Sequence, residues 1–306
     1  MDDNVTPFHV PGHKHGEGLT EFREYLGDKV FQMDVNGMDD LDYINNPTGV
    51  IFEAEELLAN AYGAQSSFFL VNGSTSGIQA MILSTCKQGS KIILPRNAHK
   101  STIGAIILSG AIPVYVQPEI NTELGIAMGV STAFIKEAII ENPHADAVFV
   151  INPTYYGVVS DLRSIVRLSH QKGMPVLVDE AHGAHMPFHD DFPLTAMDAG
   201  ADMSTISLHK TGGSLTQSSA LLLKNQFDRK KVREALDLTY TSSASYLLLC
   251  SLDIARKQLV IKGKELLEET LSLTRWARKE INKIEGLYAF GREIIGTPGC
   301  YNFDVD

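Results

Sequence analysis

The chain has 306 residues, enough for one large α/β domain and part of another. Its net charge of −11, from 37 acidic and 26 basic residues, disfavours general nucleic-acid binding, which needs a basic footprint. No apolar run reaches the roughly 18 residues of a membrane span, and Cys86, Cys250 and Cys300 are too scattered for a disulfide framework or a zinc ribbon.

The start, MDDNVTPFHV, is acidic and lacks the basic first segment and apolar core of a signal peptide, so a cytoplasmic protein with reduced thiols is expected. Residues 1–50 are rich in Gly, Pro, His and Asp and read as an irregular N-terminal arm. IFEAEELLANAYGA then predicts a helix ending near Gly63, followed by a short β-rich run, SSFFLV (66–71), and an Asn72-Gly73 turn. Ile78, Met81 and Ile82 stand at helical spacing. KIIL (91–94), PVYV (113–116), DAVFVI (146–151), PVLVD (175–179), MSTIS (203–207) and SALLL (219–223) are further strand candidates. Between them, helices are expected from about Lys100, over Thr132 to Ile140, and around Leu162, Ile165 and Val166. From about 245 the pattern is helical through Trp276 to Ile284, and GREIIGTPGCYNFDVD reads as a loop opening into a strand. A strand ending alone would leave its backbone groups unpaired, so a C-terminal domain continuing past Asp306 is expected. The division is 1–50 arm, 51–240 large domain, and 241–306 helical connection with the start of that further domain.

Strands alternating with helices predict an α/β fold, a mostly parallel sheet flanked by helices on both faces. Ligands of such sheets gather at the carboxyl ends of the strands. Four segments could place chemistry there. In TISLHKTGGSLTQSS (205–219), Lys210 stands just past a buried strand, where partial desolvation lowers a lysine's pKa and makes it nucleophilic. Ser207 and His209 flank it as donors to an anion; the plainer alternative is a surface lysine on a turn. In VLVDEAHGAH (176–185), Asp179 ends a strand, and its carboxylate would need a cationic partner such as a protonated pyridine nitrogen. His182 could orient Asp179 or touch a cofactor, while a simple helix-capping Asp is the bland alternative. In VNGSTSGIQA (71–80), Ser74, Thr75 and Ser76 follow a Gly turn at a helix start, a phosphate-binding pattern beyond the needs of one N-cap. In PRNAHKS (95–101), His99 could stack on a flat ring or merely be solvated.

A metal reading of His182, His185 and Glu180, or of His13, His15 and Glu17 in the arm, lacks a further well-spaced ligand, and no metal is expected. Ser207-x-x-Lys210 and Lys210-Thr211-Gly212 imitate the SxxK and KTG elements of penicillin-recognising enzymes. There they use distinct lysines, so the match is read as chance.

Phosphate loop, stacking His, Asp and Lys occur in the order of the fold-type I enzymes that use pyridoxal 5′-phosphate (PLP). Ser207-Leu208-His209-Lys210, Gly213-Ser214 and Gln217-Ser218-Ser219 resemble the attachment-site pattern of the bacterial Orn/Lys/Arg decarboxylase family. PFHVPGHKHG (7–16) and residues 34–64 are similar to that family's N-terminal segments. The resemblance implies a fold-type I, transferase-like fold and PLP held by Lys210 through a Schiff base. Asp179 would then lie on the pyridine nitrogen, His99 on the ring and His182 near the reacting carbons. Ser74, Thr75, Ser76 and Ser207, with His209, would lie at the phosphate. It also implies decarboxylation of lysine, arginine or ornithine, with His209 or Lys210 returning a proton, in a homodimer or larger homo-oligomer. Alternatives are another fold-type I activity, an aminotransferase or lyase, and a shortened PLP-binding chain without turnover.

Overall fold

Short β-branched and aliphatic runs bounded by turn residues become strands here because both faces of each are covered, leaving no polar alternation. A computed structural model describes residues 6–38, 41–224 and 227–304. The acidic residues 1–5 and the end at Asp306, on which two of the expectations above partly rest, lie outside them.

The expected irregular arm contains two short helices, α1 (Thr20–Leu26) and α2 (Asp28–Met33). Most of their apolar residues stay exposed, Phe31 alone of α2 being buried, with Phe22 edge-on against it, so the arm carries little periodicity. Then come α3 (Val50–Ala61), β1 (Ser66–Leu70), α4 (Ser74–Thr85), β2 (Lys91–Pro95), α5 (Lys100–Ser109) and β3 (Ile112–Val116). A small hairpin, β4 (Ile120–Asn121) with β5 (Ile126–Ala127), leads to α6 (Thr132–Glu141), β6 (Ala147–Ile151), β7 (Val158–Val159) and α7 (Leu162–His170). The chain continues through β8 (Val176–Asp179), α8 (Ala196–Ala199), β9 (Met203–Ile206), α9 (Leu208–Thr211) and β10 (Ser219–Leu223). It closes with α10 (Arg229–Thr239), the 36-residue α11 (Tyr246–Ile281) and β11 (Asn302–Phe303).

The main sheet has seven strands in the order β1-β10-β9-β8-β6-β2-β3. Only β10 runs against its neighbours, because the short 212–218 loop joins it to α9 without room for a crossover. Residue alternation splits the core in two. Val148, Val150, Val176 and Val178 face α3, α6, α7 and α11, while Ala147, Phe149 and Leu177 face α4, α5 and α10. Each fully buried large side chain contributes about 1.5–3 kcal/mol.

The last strand is not left open. β11 pairs antiparallel with β7, Asn302 opposite Val159 and Phe303 opposite Val158. Phe303 joins a third cluster with Met128, Met186, Leu267 and Leu271, so α11 spans from the sheet's core to this end segment. The helix also stops at Ile281 rather than Ile284, and the Asn282 side chain beyond it donates to the Ala289 carbonyl and accepts from the Ala289 amide. Among the described residues no helix is long and apolar enough to cross a membrane.

Candidate active site

Because β1, β2, β6, β8 and β9 point the same way, the segments after them meet at one edge of the sheet. There they enclose a cleft of about 390 Å³ lined by Ser74, Asn97, His99, Ile151, Thr154, Tyr155, Tyr156, Asp179, His182 and Lys210. Five of these, Ser74, His99, Asp179, His182 and Lys210, are residues that the sequence singled out.

Asp179 ends β8, flanked by Ile151 of β6 and Thr205 of β9, which places its carboxylate at the centre of the floor. It is 6% exposed and accepts one hydrogen bond, from the Ala181 amide at 3.2 Å. Burial pushes its carboxyl above the ordinary range, opposed by that amide and by electrostatic attraction to Lys210 and His99. Lys210 lies in α9, one short turn beyond β9, and its Nζ is 3.0 Å from His182 Nε2. Burial lowers the Lys210 pKa and the Asp179 charge raises it, with burial the larger effect. A lysine so placed is a better nucleophile than one in water.

His182 sits in a tight turn in which the Gly183 amide donates to the Glu180 carbonyl at 2.8 Å. The Tyr155 ring meets it edge-on at 5.6 Å between centroids. His99 caps α5: its Nδ1 accepts from the Ser101 amide at 3.3 Å and lies 2.7 Å from the Ser101 hydroxyl, which fixes the ring. Gly183 is required by space rather than by backbone angle. A Cβ there would lie 2.7 Å from Glu180 Cγ and 2.9 Å from Met186 Sδ.

The hydroxyl residues divide. Ser74 and Thr75 open α4, whose N-cap, Gly73 at φ 74°, supplies no side chain, leaving the helix start to other acceptors. Ser76 is buried and donates to the Gly73 carbonyl at 2.9 Å, so its hydroxyl is used inside the turn. Ser207 is fully buried, and its Oγ has no hydrogen-bond partner among the described residues. His209 Nδ1 lies 3.0 Å from the Ser218 carbonyl, which ties that ring to the loop before β10 rather than to the cleft lining. The loop is held to the turn before α4 by the Gly73 amide, which donates to the Gln217 carbonyl at 2.9 Å. Gly77 lets α4 approach β9: a Cβ would lie 2.5 Å from Thr205 Oγ1.

His185, paired with His182 in the metal reading, turns away. Its Nε2 is 3.2 Å from Asp304 Oδ1 in a pair 2% exposed on each side, with the Phe192 ring at 4.4 Å. His13 Nε2 is likewise 3.1 Å from Asp34. Among the described residues no three His, Cys, Asp or Glu side chains gather as a ligand set.

Sequence reasoning missed Thr154, Tyr155 and Tyr156, because they lie in a loop without periodicity. Their only signal was position after strand β6. Glu180 was noticed only as a member of the metal reading; instead its Oε1 accepts from the Ala196 amide at 2.7 Å and its Oε2 from the Ser204 hydroxyl at 2.9 Å. Burial pushes that carboxyl up to about 8.

The arrangement suits PLP on two observations. The buried Asp179 carboxyl is incompletely balanced by the cations around it, which a pyridinium nitrogen would correct. The buried Ser207 hydroxyl lacks a partner beside the open start of α4, which a phosphate would supply.

The family model described as Orn/Lys/Arg decarboxylase, major domain, matches residues 1–306. An arginine decarboxylase of Bacillus subtilis is 48% identical over 299 residues, covering 97% of this chain and 61% of the relative. The chain thus spans about six tenths of the length of the curated relatives it matches. The crystal structure of a lysine decarboxylase from Francisella novicida superposes with a TM-score of 0.84 at 24% identity, covering 92% of this chain and 42% of that one. A serine palmitoyltransferase from S. paucimobilis with bound PLP shares the fold at a TM-score of 0.64 and 18% identity, over 87% of this chain and 63% of that one.

Proposed function

The chain belongs to the Orn/Lys/Arg decarboxylase family and has the fold-type I architecture of PLP-dependent enzymes, and on that premise we propose that it removes the α-carboxylate of a basic amino acid. Arginine is the foremost substrate in this reading, because relatives 46–48% identical are named arginine decarboxylases while those named for lysine are 24–26% identical. The observation that carries it is the convergence of Lys210, His182, Asp179 and His99 on one cleft at the carboxyl edge of the sheet.

PLP, when bound, supplies an electron sink for the bond electrons left at the substrate's α-carbon. Lys210, with its amine in the cleft, would be the residue that holds PLP covalently. Asp179 would hold the pyridine nitrogen in its protonated form, and His99 would face the ring. Ser207 and the first turn of α4, with Ser74 and Thr75, would hold the phosphate. His182 lies within proton-exchange distance of Lys210, at 3.0 Å, and serves as its acid–base partner. Tyr155 braces the His182 ring by its edge-on contact. The reading includes a homodimer acting in the cytoplasm on a free amino acid.

The test is release of labelled carbon dioxide from carboxyl-labelled arginine, lysine and ornithine, for the parent and Lys210→Ala, both loaded with PLP. Release from arginine by the parent alone, with the amine and no keto acid as product, is expected. The parent should also show a visible band that borohydride fixes at Lys210. A folded parent that binds PLP yet releases carbon dioxide from none of the three would sink the decarboxylase reading. Keto-acid product would replace it with an aminotransferase. Sedimentation of the same protein reads the dimer.

A further inference from the structure

Glu180 lies beside Asp179 in sequence but on the other face of the sheet. Asp179 shares the face of Leu177, and Glu180 continues the face of Val176 and Val178. It is 2% exposed, on the side away from the cleft. A buried carboxyl without a role is costly, yet this one is fully engaged. Its Oε1 takes the amide of Ala196, the first residue of α8, and its Oε2 takes the hydroxyl of Ser204 in β9. Its own amide donates to the Thr205 carbonyl at 2.9 Å, extending the pairing of β8 with β9 by one step. Its carbonyl accepts from Gly183, closing the turn that carries His182. The turn wraps the Glu180 stem so closely that Gly183 has no space for a side chain.

We propose that Glu180 is a positioning residue for the catalytic pair: anchored to α8 and β9, it is the peg around which the 180–183 turn closes, and it thereby sets His182 against Lys210. The proposal rests on the reading of His182 and Lys210 as working groups, but not on cofactor loading or on the identity of the substrate. It acts through geometry, since both anchoring bonds are donated to the carboxyl. A glutamine keeps an acceptor oxygen for Ala196 and an amide that the Ser204 hydroxyl can accept from. An alanine keeps neither.

The pH dependence of Lys210 acylation by a water-soluble anhydride, followed by mass spectrometry against an exposed lysine of the same chain, reads this without PLP. The midpoint reports the Lys210 environment separately from simple access. In Glu180→Ala the His182 ring leaves its place, Lys210 becomes better solvated, and its midpoint moves up toward that of the reference lysine. In a buffer of about pH 8 its rate relative to the reference falls by about threefold or more. Glu180→Gln keeps the parent's midpoint. Should Glu180→Ala fail to fold, Ser204→Ala, which removes one anchor, shifts the midpoint in the same direction by a smaller amount. An unchanged midpoint in a folded Glu180→Ala, or in Ser204→Ala where the former does not fold, overturns the proposal. So does a Glu180→Gln shifted as far as Glu180→Ala. Failure of the decarboxylation assay would leave this midpoint shift intact, so the two readings fail separately.

Discussion

Lys210 Nζ and His182 Nε2 lie 3.0 Å apart, although 28 residues separate them in the chain. Each comes from a different strand end, and the adjacent strands β8 and β9 bring them together. The contact gives the amine a proton partner inside the cleft. His182→Phe keeps the ring's bulk and its packing with Tyr155 but removes the nitrogen. Turnover is expected to fall by about a hundredfold, within the usual range for a lost acid–base partner. Steady-state kinetics with carboxyl-labelled arginine checks it, and a loss under twofold would place His182 outside the chemistry.

Asp179→Asn is nearly isosteric and removes only the charge that, in the proposed function, would balance a pyridinium. The expected result is a drop in kcat of at least about a hundredfold, with PLP still bound, because an unpaired buried cation costs several kcal/mol. Equilibrium dialysis of PLP beside the kinetics separates the two effects. Retention of kcat would mean that Asp179 serves the fold alone.

Glu180 makes stability depend on pH. Its folded-state pKa, about 8, is above its ordinary value of 4.5. Between those values the folded chain therefore binds more protons than the unfolded one. The contribution is fully present below about pH 4.5 and is lost as pH rises through 8. Across that window Glu180 removes up to about 1.4 kcal/mol of stability for each pH unit. Urea unfolding of the parent and Glu180→Gln at several pH values checks this: the difference between them should change in that window, and parallel curves would contradict it.

Gly183→Ala drives a methyl against Glu180 Cγ, Met186 Sδ and Pro153 Cδ, at 2.7, 2.9 and 3.2 Å before relaxation. Overpacking of this kind costs about 1–3 kcal/mol. The turn shifts with it, so a lower thermal midpoint is expected together with a slower reaction through His182. A variant with a lowered midpoint but full turnover would show that the turn yields away from the site.

Much of the site could be read before the fold was known, and the reason is local. Lys210 and Asp179 each follow an apolar run too short for a helix, so their place at a strand's carboxyl end follows from the chain direction alone. The Ser74-Thr75-Ser76 turn was visible for the same reason, but not that the Ser76 hydroxyl is spent on the Gly73 carbonyl. That depends on a rotamer set by burial. Tyr155 and Tyr156 stand in a loop after β6, where no period marks which side chain returns to the cleft.

The sequence by itself determined the alternation of strands and helices, the two apolar faces of each buried strand, and the residue types that converge at one sheet edge. These are encoded by periodicity and by neighbours a few positions apart. The tertiary structure alone decided the strand order, the antiparallel β10 and the pairing of β11 with β7. It also decided that His185 turns from His182 toward Asp304, 119 residues away, and that Glu180 takes α8 and β9 as its anchors. Such partners are chosen by which buried polar groups can satisfy one another once the sheet is assembled, and no local pattern carries that information.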